Sequence, residues 1–291
     1  MTAPLRALDQ VRILSLALNL PGPAALMRCR QMGASCTKLE PPAGDPMRHY
    51  NPAAYAQLHE GVTVRTVDLK SDAGQAALHE ELTRTDVLMT SFRPLALRKL
   101  GLDWPQLQAR HPSLSQVAIV GGSGAAAEVP GHDLTYLAEH GLVTGTELPA
   151  TLFADMAGSL MASEAVLQAA LLRAGDPRAA GRYVEIALAD AAGYLALPRR
   201  WGLTQPTGSV GGAHAGYRVY PCKDGRVAVA ALEPHFAAAL CAAAGLERRG
   251  MAAMFEPSTR EAIAQFLRSR TRAELDALAA EKDIPLQTLA D

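Results

Sequence analysis

Two short stretches carry the residues best suited to chemistry. In Gly131-His132-Asp133-Leu134-Thr135-Tyr136 a histidine sits beside an acid, just after a glycine-rich turn. In Ala154-Asp155-Met156-Ala157-Gly158 an acid stands where a loop becomes a helix. A histidine and a carboxylate facing one carbon can take a proton off it and return it from the other side. The pattern predicts Asp155 as an N-cap, accepting backbone N–H groups that the first helical turn leaves unpaired. That helix end is also a place to hold negative charge. Each feature has a plainer reading as well: His-Asp dipeptides are common, and an acid before an apolar helix is ordinarily a cap.

The elements that must position these residues alternate in type. Apolar runs at residues 11–16, 35–39, 62–69, 87–90 and 113–120 read as strands. Between them lie a helix at 24–32, entered through Pro21-Gly22-Pro23 and closed by Gly33, and another at 72–83. Such alternation predicts an α/β fold with a mainly parallel, Rossmann-like sheet covered by helices. Ligands in these folds sit beyond the carboxyl ends of the strands. Gly121-Gly122-Ser123-Gly124 and the histidine element follow such an end. The helix carrying Asp155 shows Leu160, Met161, Leu167, Leu171 and Leu172 as a packing stripe. It ends at Gly175-Asp176-Pro177, before a strand at 182–188 and another helix. The texture changes near Gly208-Ser209-Val210-Gly211-Gly212, which predicts a large domain at 1–207 and a small α+β domain at 208–291. The small domain opens with a hairpin around Lys223-Asp224-Gly225, and alanine-rich helices then run to the end.

Composition sets the class. The chain has 291 residues, 49% hydrophobic and 20% charged, with a formal charge of −1. It can bury a sizeable core, and nothing in its charge attracts nucleic acid or an anionic membrane broadly. Cys29, Cys36, Cys222 and Cys241 have no metal-type spacing, so buried free thiols in a reducing cytoplasm are expected, with no metal. Neither a signal-peptide core nor an apolar run long enough to span a membrane is present, and the expected location is cytoplasmic. The P-loop and dinucleotide fingerprints are missing, and Ala125 spoils a nucleophile elbow.

Read together, a series of tags resembles the family III CoA-transferases (CaiB/BaiF), the group that also contains alpha-methylacyl-CoA racemase. The tags are Pro21-Gly22-Pro23-Ala24-Ala25, Lys38-Leu39-Glu40-Pro41 with Gly44-Asp45-Pro46, Val67-Asp68-Leu69-Lys70-Ser71 and Ser91-Phe92-Arg93-Pro94. Leu100-Gly101-Leu102-Asp103, Gly131-His132-Asp133, Ala154-Asp155, Arg182-Tyr183-Val184-Glu185 and Asp190-Ala191-Ala192 continue the series. The resemblance implies one of two chemistries. In transferases the aspartate matching Asp155 carries the acyl group as an anhydride. In racemases the same aspartate carries a proton opposite the histidine matching His132. Transferases commonly have another residue at that position, racemases resemble Leu232-Glu233-Pro234-His235-Phe236, and the transferases' small-domain glycine loop has no counterpart here. The resemblance therefore implies an acyl-CoA racemase with His132, Asp155 and Glu233 as catalytic residues, Glu233 orienting His132.

The same resemblance places Lys38 near the nucleotide end of CoA, Arg93 near its phosphates and Tyr136 beside the pantetheine arm, and it implies Arg65 and Gly131 as further CoA-binding residues. It implies an acyl-CoA substrate, no prosthetic group and a homodimer of interlocked chains. Two departures stand out. Glu60-Gly61-Val62-Thr63-Val64-Arg65 replaces a more basic run, and relatives continue past the segment resembling Asp283-Ile284-Pro285-Leu286 to return to the large domain. A transferase acting through Asp155 and a non-catalytic acyl-CoA-binding protein or subunit stand as the alternatives.

Overall fold

The computed structural model describes residues 6–176, 178–247 and 250–290. The chain divides into two compact units, one up to Ala196 and one from Leu197. The division falls before the expected 207/208 boundary. Composition changes at the glycines, but packing changes where the buried Ala191 and Ala192 of the helix Leu188–Leu195 end.

The first unit is built on a six-stranded sheet in the order β3-β2-β1-β4-β5-β6. The strands are β1 (Arg12–Ser15), β2 (Ser35–Glu40), β3 (Thr63–Thr66), β4 (Val87–Thr90), β5 (Ser115–Val120) and β6 (Tyr183–Ala187), and every pairing is parallel. Strands β4 and β5 are buried along their whole length, as expected for strands covered on both faces. The order reverses direction between β1 and β4, the switch point at which doubly wound sheets open a crevice. One core cluster includes Ile13, Met89, Val117, Ile119 and Val166. A second gathers leucines at 14, 16, 78, 82, 88, 97, 102 and 107. Burial holds the Cys29 and Cys36 thiols in their protonated form, pushing both up to about 12.

The helix Phe153–Gly175 bears out part of the expected packing stripe and corrects the rest: Met161 and Leu167 pack against the core, the other three are exposed. Its buried face is Ala154, Gly158, Ser159, Ala162, Ser163, Ala165, Val166 and Ala169, whereas Leu160, Leu171 and Leu172 are 48%, 76% and 55% exposed. Small residues let the helix lie close to its neighbours: a Cβ at Gly158 would stand 2.3 Å from Leu188 Cδ2. Close approach decided most of the inward face, and hydrophobicity alone finds only Met161 and Leu167 of it.

The second unit has its own core, including Tyr220, Val227, Val229, Leu240, Ile263, Leu267 and Leu275. Strands β7 (Tyr217–Cys222) and β8 (Gly225–Ala230) form the expected antiparallel hairpin. The chain does not remain helical to its end. Leu286–Leu289 forms β9 and pairs antiparallel with β8, with Ile284 buried just before it. Among the described residues no helix is long and apolar enough to cross a membrane.

Candidate active site

A cleft of about 560 Å³ opens at the carboxyl edge of the six-stranded sheet. Its walls follow β1 (Leu18 to Pro21), β4 (Ser91 to Arg93) and β5 (Val120 and Gly121), and it lies at the switch point. Gly131, His132, Asp133, Tyr136 and Asp155 complete the lining, together with Tyr50. Of the expected site residues, five thus share one cleft: Arg93, Gly131, His132, Tyr136 and Asp155.

Local structure explains how they meet. The loop after β5 is held by Glu185 of β6, whose carboxylate accepts from Gly124 N–H at 2.9 Å. The next turn brings His132 to the start of the helix Asp133–Glu139, where its N–H donates to Thr135 Oγ1 at 3.0 Å. His132 is exposed to the cleft while Asp133 beside it is buried. The dipeptide therefore divides its labour. Asp133 Oδ1 accepts the backbone N–H of Asp155 at 3.0 Å and so caps the long helix from outside it. Tyr136 is 8% exposed, and its ring fits because Gly121 and Gly131 have no side chains. A Cβ at Gly131 would lie 2.6 Å from Tyr136 Cε1.

Asp155 is accordingly not the N-cap, which is Leu152; it sits in the first turn with its own N–H already taken. That N–H is then not free to stabilise charge on a ligand. Its carboxyl is pushed up to about 6, first by burial, then by the Asp133 carboxylate, with His132 acting in the opposite sense. A carboxyl in this range exchanges protons readily near neutral pH, the property required of a general acid or base. Burial also raises the Tyr136 phenol, with Asp155 adding to the effect.

Two expected residues of the first unit, Lys38 and Arg65, are not part of this lining. Lys38 is completely buried, and its ammonium meets Asp45 at 2.5 Å, His59 Nε2 at 2.9 Å and Glu40 at 3.3 Å. With no exposed surface it cannot receive a nucleotide. Glu40, Asp45 and His59 place possible metal-ligand atoms within 4.8 Å of one another, but the Lys38 ammonium lies against all three. Arg65 projects from β3 and pairs with Glu81 of the helix Asp72–Leu82. Glu233 belongs to the second unit, an exposed residue directly before the helix Pro234–Ala243. Asn19, Tyr50, Ser91 and Asp133 line the cleft without having been singled out as site residues. Asp133 was legible in principle, since it adjoins His132, whereas Asn19 and Ser91 come from loops, and Tyr50 from the end of the short helix Met47–Tyr50, whose meeting depends on the tertiary fold.

A larger concavity of about 660 Å³ lies on the second unit, lined by residues such as Val219, Val229, Leu286 and Arg218. It holds no carboxylate or histidine, and Arg218 is engaged with the Gly212 carbonyl. Acid–base chemistry therefore points to the first cleft.

Comparison with known proteins gives the family. The model of CoA-transferase family III matches residues 8–291. The chain belongs to that family. A cinnamoyl-CoA:phenyllactate CoA-transferase of Clostridium sporogenes is 35% identical over 149 residues, 47% of this chain and 36% of the relative. Human alpha-methylacyl-CoA racemase is 26% identical over 290 residues, 92% of this chain and 74% of the relative. A solved structure of a hypothetical protein (Rv3272) from Mycobacterium tuberculosis superposes with a TM-score of 0.81 at 26% identity, covering 99% of this chain and 85% of that one. The same Mycobacterium protein, described as a probable fatty acyl-CoA transferase, matches 65% of this chain and 52% of its own length. The chain thus spans about half or less of the length of these transferases in the matched regions. The family III fold is shared across both chemistries, and the cleft residues must distinguish them.

Proposed function

We propose that this cleft exchanges the α-proton of a 2-methyl-branched acyl-CoA thioester, giving a racemase or epimerase. The supporting observation is that His132 and Asp155 line one cleft while Asp155 has a carboxyl raised to about 6. The thioester carbonyl makes the adjacent C–H acidic by delocalising the resulting charge onto oxygen. Neutral His132 removes that proton, and protonated Asp155 delivers another to the opposite face; the reverse reaction exchanges the roles. Each positioned group contributes on the order of 10²–10⁴-fold. Arg93 supplies positive charge for CoA phosphates and Tyr136 a wall for the pantetheine arm. CoA enters as part of the substrate, and no step needs a prosthetic group.

The test uses a single stereoisomer of a 2-methylacyl-CoA in deuterated water. Deuterium should enter the α-carbon without any added acid, and His132→Ala should slow entry by about 10²-fold or more. A second reading is favoured by the transferases at 35% and 30% identity. There the Asp155 carboxylate attacks the thioester carbonyl, CoA leaves as thiolate, and an acyl anhydride remains on Asp155. Transfer of CoA to an added carboxylate with no α-exchange would decide for that chemistry and against ours. The proposal includes a homodimer, supported by the exposed apolar residues of the helix Phe153–Gly175.

A further inference from the structure

Lys38 has three ammonium donors, and three buried acceptors surround it: Asp45, Glu40 and His59. Lys38 and Asp45 are 0% exposed, Glu40 is 1% and His59 8%. The acceptors are themselves fixed. Glu40 Oε1 accepts from the Tyr55 hydroxyl at 2.7 Å, and Glu40 Oε2 from the Asp45 N–H at 3.3 Å. His59 Nδ1 lies 2.7 Å from the Tyr55 carbonyl, which can only accept. Nδ1 therefore carries the proton, and Nε2 is the acceptor that faces Lys38. Burial, acting first, and Lys38 both lower the His59 pKa, consistent with a neutral ring. A network this complete rigidifies what it touches.

What it touches is a wall of the cleft. The Asp45 carboxylate receives the Met47 N–H at 2.9 Å and the Asn19 N–H at 3.1 Å from each of its oxygens. Asn19 lines the cleft and has φ +65°, a left-handed conformation that Asn adopts more readily than most residues with a side chain. The neighbouring Leu18 N–H is tied to Ser91 Oγ at 3.2 Å, so the turn is pinned from both sides.

We infer that Lys38 is a positioning residue for the thioester cleft: it orients Asp45, and Asp45 holds the Asn19 turn in its left-handed form. Its effect on substrate rests on the acyl-CoA reading above, whereas its effect on the turn does not. Without the ammonium, Asp45 and Glu40 lose their shared cation; Asp45 then protonates or rotates, and the Asn19 N–H is released. A wall released in this way loses contacts made to the thioester in ground and transition state alike, which raises KM more than it lowers kcat.

Amide hydrogen exchange on the full chain tests the core of this. In the wild type, the Asn19 N–H should be protected although it lies in a turn; rapid exchange there would overturn the inference even if no variant folded. Lys38→Met should abolish that protection while strands β4 and β5 remain protected. Unchanged Asn19 protection in a folded Lys38→Met protein would equally overturn it. In the deuterium-incorporation assay, Lys38→Met should raise KM for the thioester about 10–100-fold, with a smaller fall in kcat, because His132 and Asp155 stay in place. A uniform loss of kcat at unchanged KM would contradict positioning through this wall. Absence of thioester binding by the wild type would sink the functional reading and leave the exchange result to decide the role of Lys38.

Discussion

At the scale of single residues, the cleft depends on one carboxyl whose environment disfavours its charge. Asp155 is raised from 3.8 to about 6 by burial and by Asp133. The sign of the stability effect follows directly. Well below pH 3.8 the folded and unfolded forms are both protonated and there is no penalty. As pH rises towards 6 the unfolded chain ionises first, so the fold loses stability, and the loss is complete above 6. Asp155→Asn removes the penalty. It should stabilise the protein by about 3 kcal/mol at pH 8 and by less than about 1 kcal/mol at pH 4, as read by denaturant unfolding at both pH values. Equal effects at the two pH values would mean that packing, not ionisation, dominates. The same carboxyl shapes the rate. A racemase needs one proton shared between His132 and Asp155, since two leave no base and none leaves no acid. The rate of α-exchange should therefore be bell-shaped with the same limits for both stereoisomers. An Asp155 nucleophile instead needs only the carboxylate, and its rate should rise through about pH 6 to a plateau.

At the scale of elements, the cleft depends on how closely helices approach the sheet. Gly22 opens the helix Pro21–Gln31 beside the chain leaving β1, and a Cβ there would stand 2.2 Å from the Ala17 Cβ. Neither partner has a flexible end that could move away. Gly22→Ala should therefore destabilise the fold by about 1–3 kcal/mol, as overpacking does. It should also weaken acyl-CoA binding, because Leu20 and Pro21 of the same turn line the cleft. Thermal unfolding with and without CoA thioester checks both effects. An unaltered melting temperature would show that the turn relaxes freely.

At the scale of the whole molecule, each unit has its own core, and the long helix of the first presents leucines outward. Met156 and Leu160 are 40% and 48% exposed, and Leu171 is 76% exposed. Surface apolar residues grouped on one helix mark association sites. The expected outcome is a homodimer in sedimentation equilibrium, dissociated by Leu160→Glu with Leu171→Glu. A wild-type monomer at micromolar concentration would remove the dimer from the proposal.

The sequence by itself determined the alternation of strands and helices, the Asp-Gly hairpin and the His132–Asp155 pair. These rest on local chemistry: apolar periodicity, glycine turns and residue types suited to proton transfer. It also carried the family, because the tags keep their order along the chain. Tertiary structure decided the rest. Whether Lys38 meets a ligand or a buried acid depends on where residues 45 and 59 fold back, and no local pattern encodes that. The inward face of the helix Phe153–Gly175 depended on how near its neighbours stand, so small residues went in and Leu160, Leu171 and Leu172 out. Strand β9 exists because β8 offers it an edge, and a four-residue segment has too little pattern of its own to announce a strand. Asp155 acquired its raised pKa first from burial and then from Asp133, 22 residues earlier, both properties of the folded chain alone.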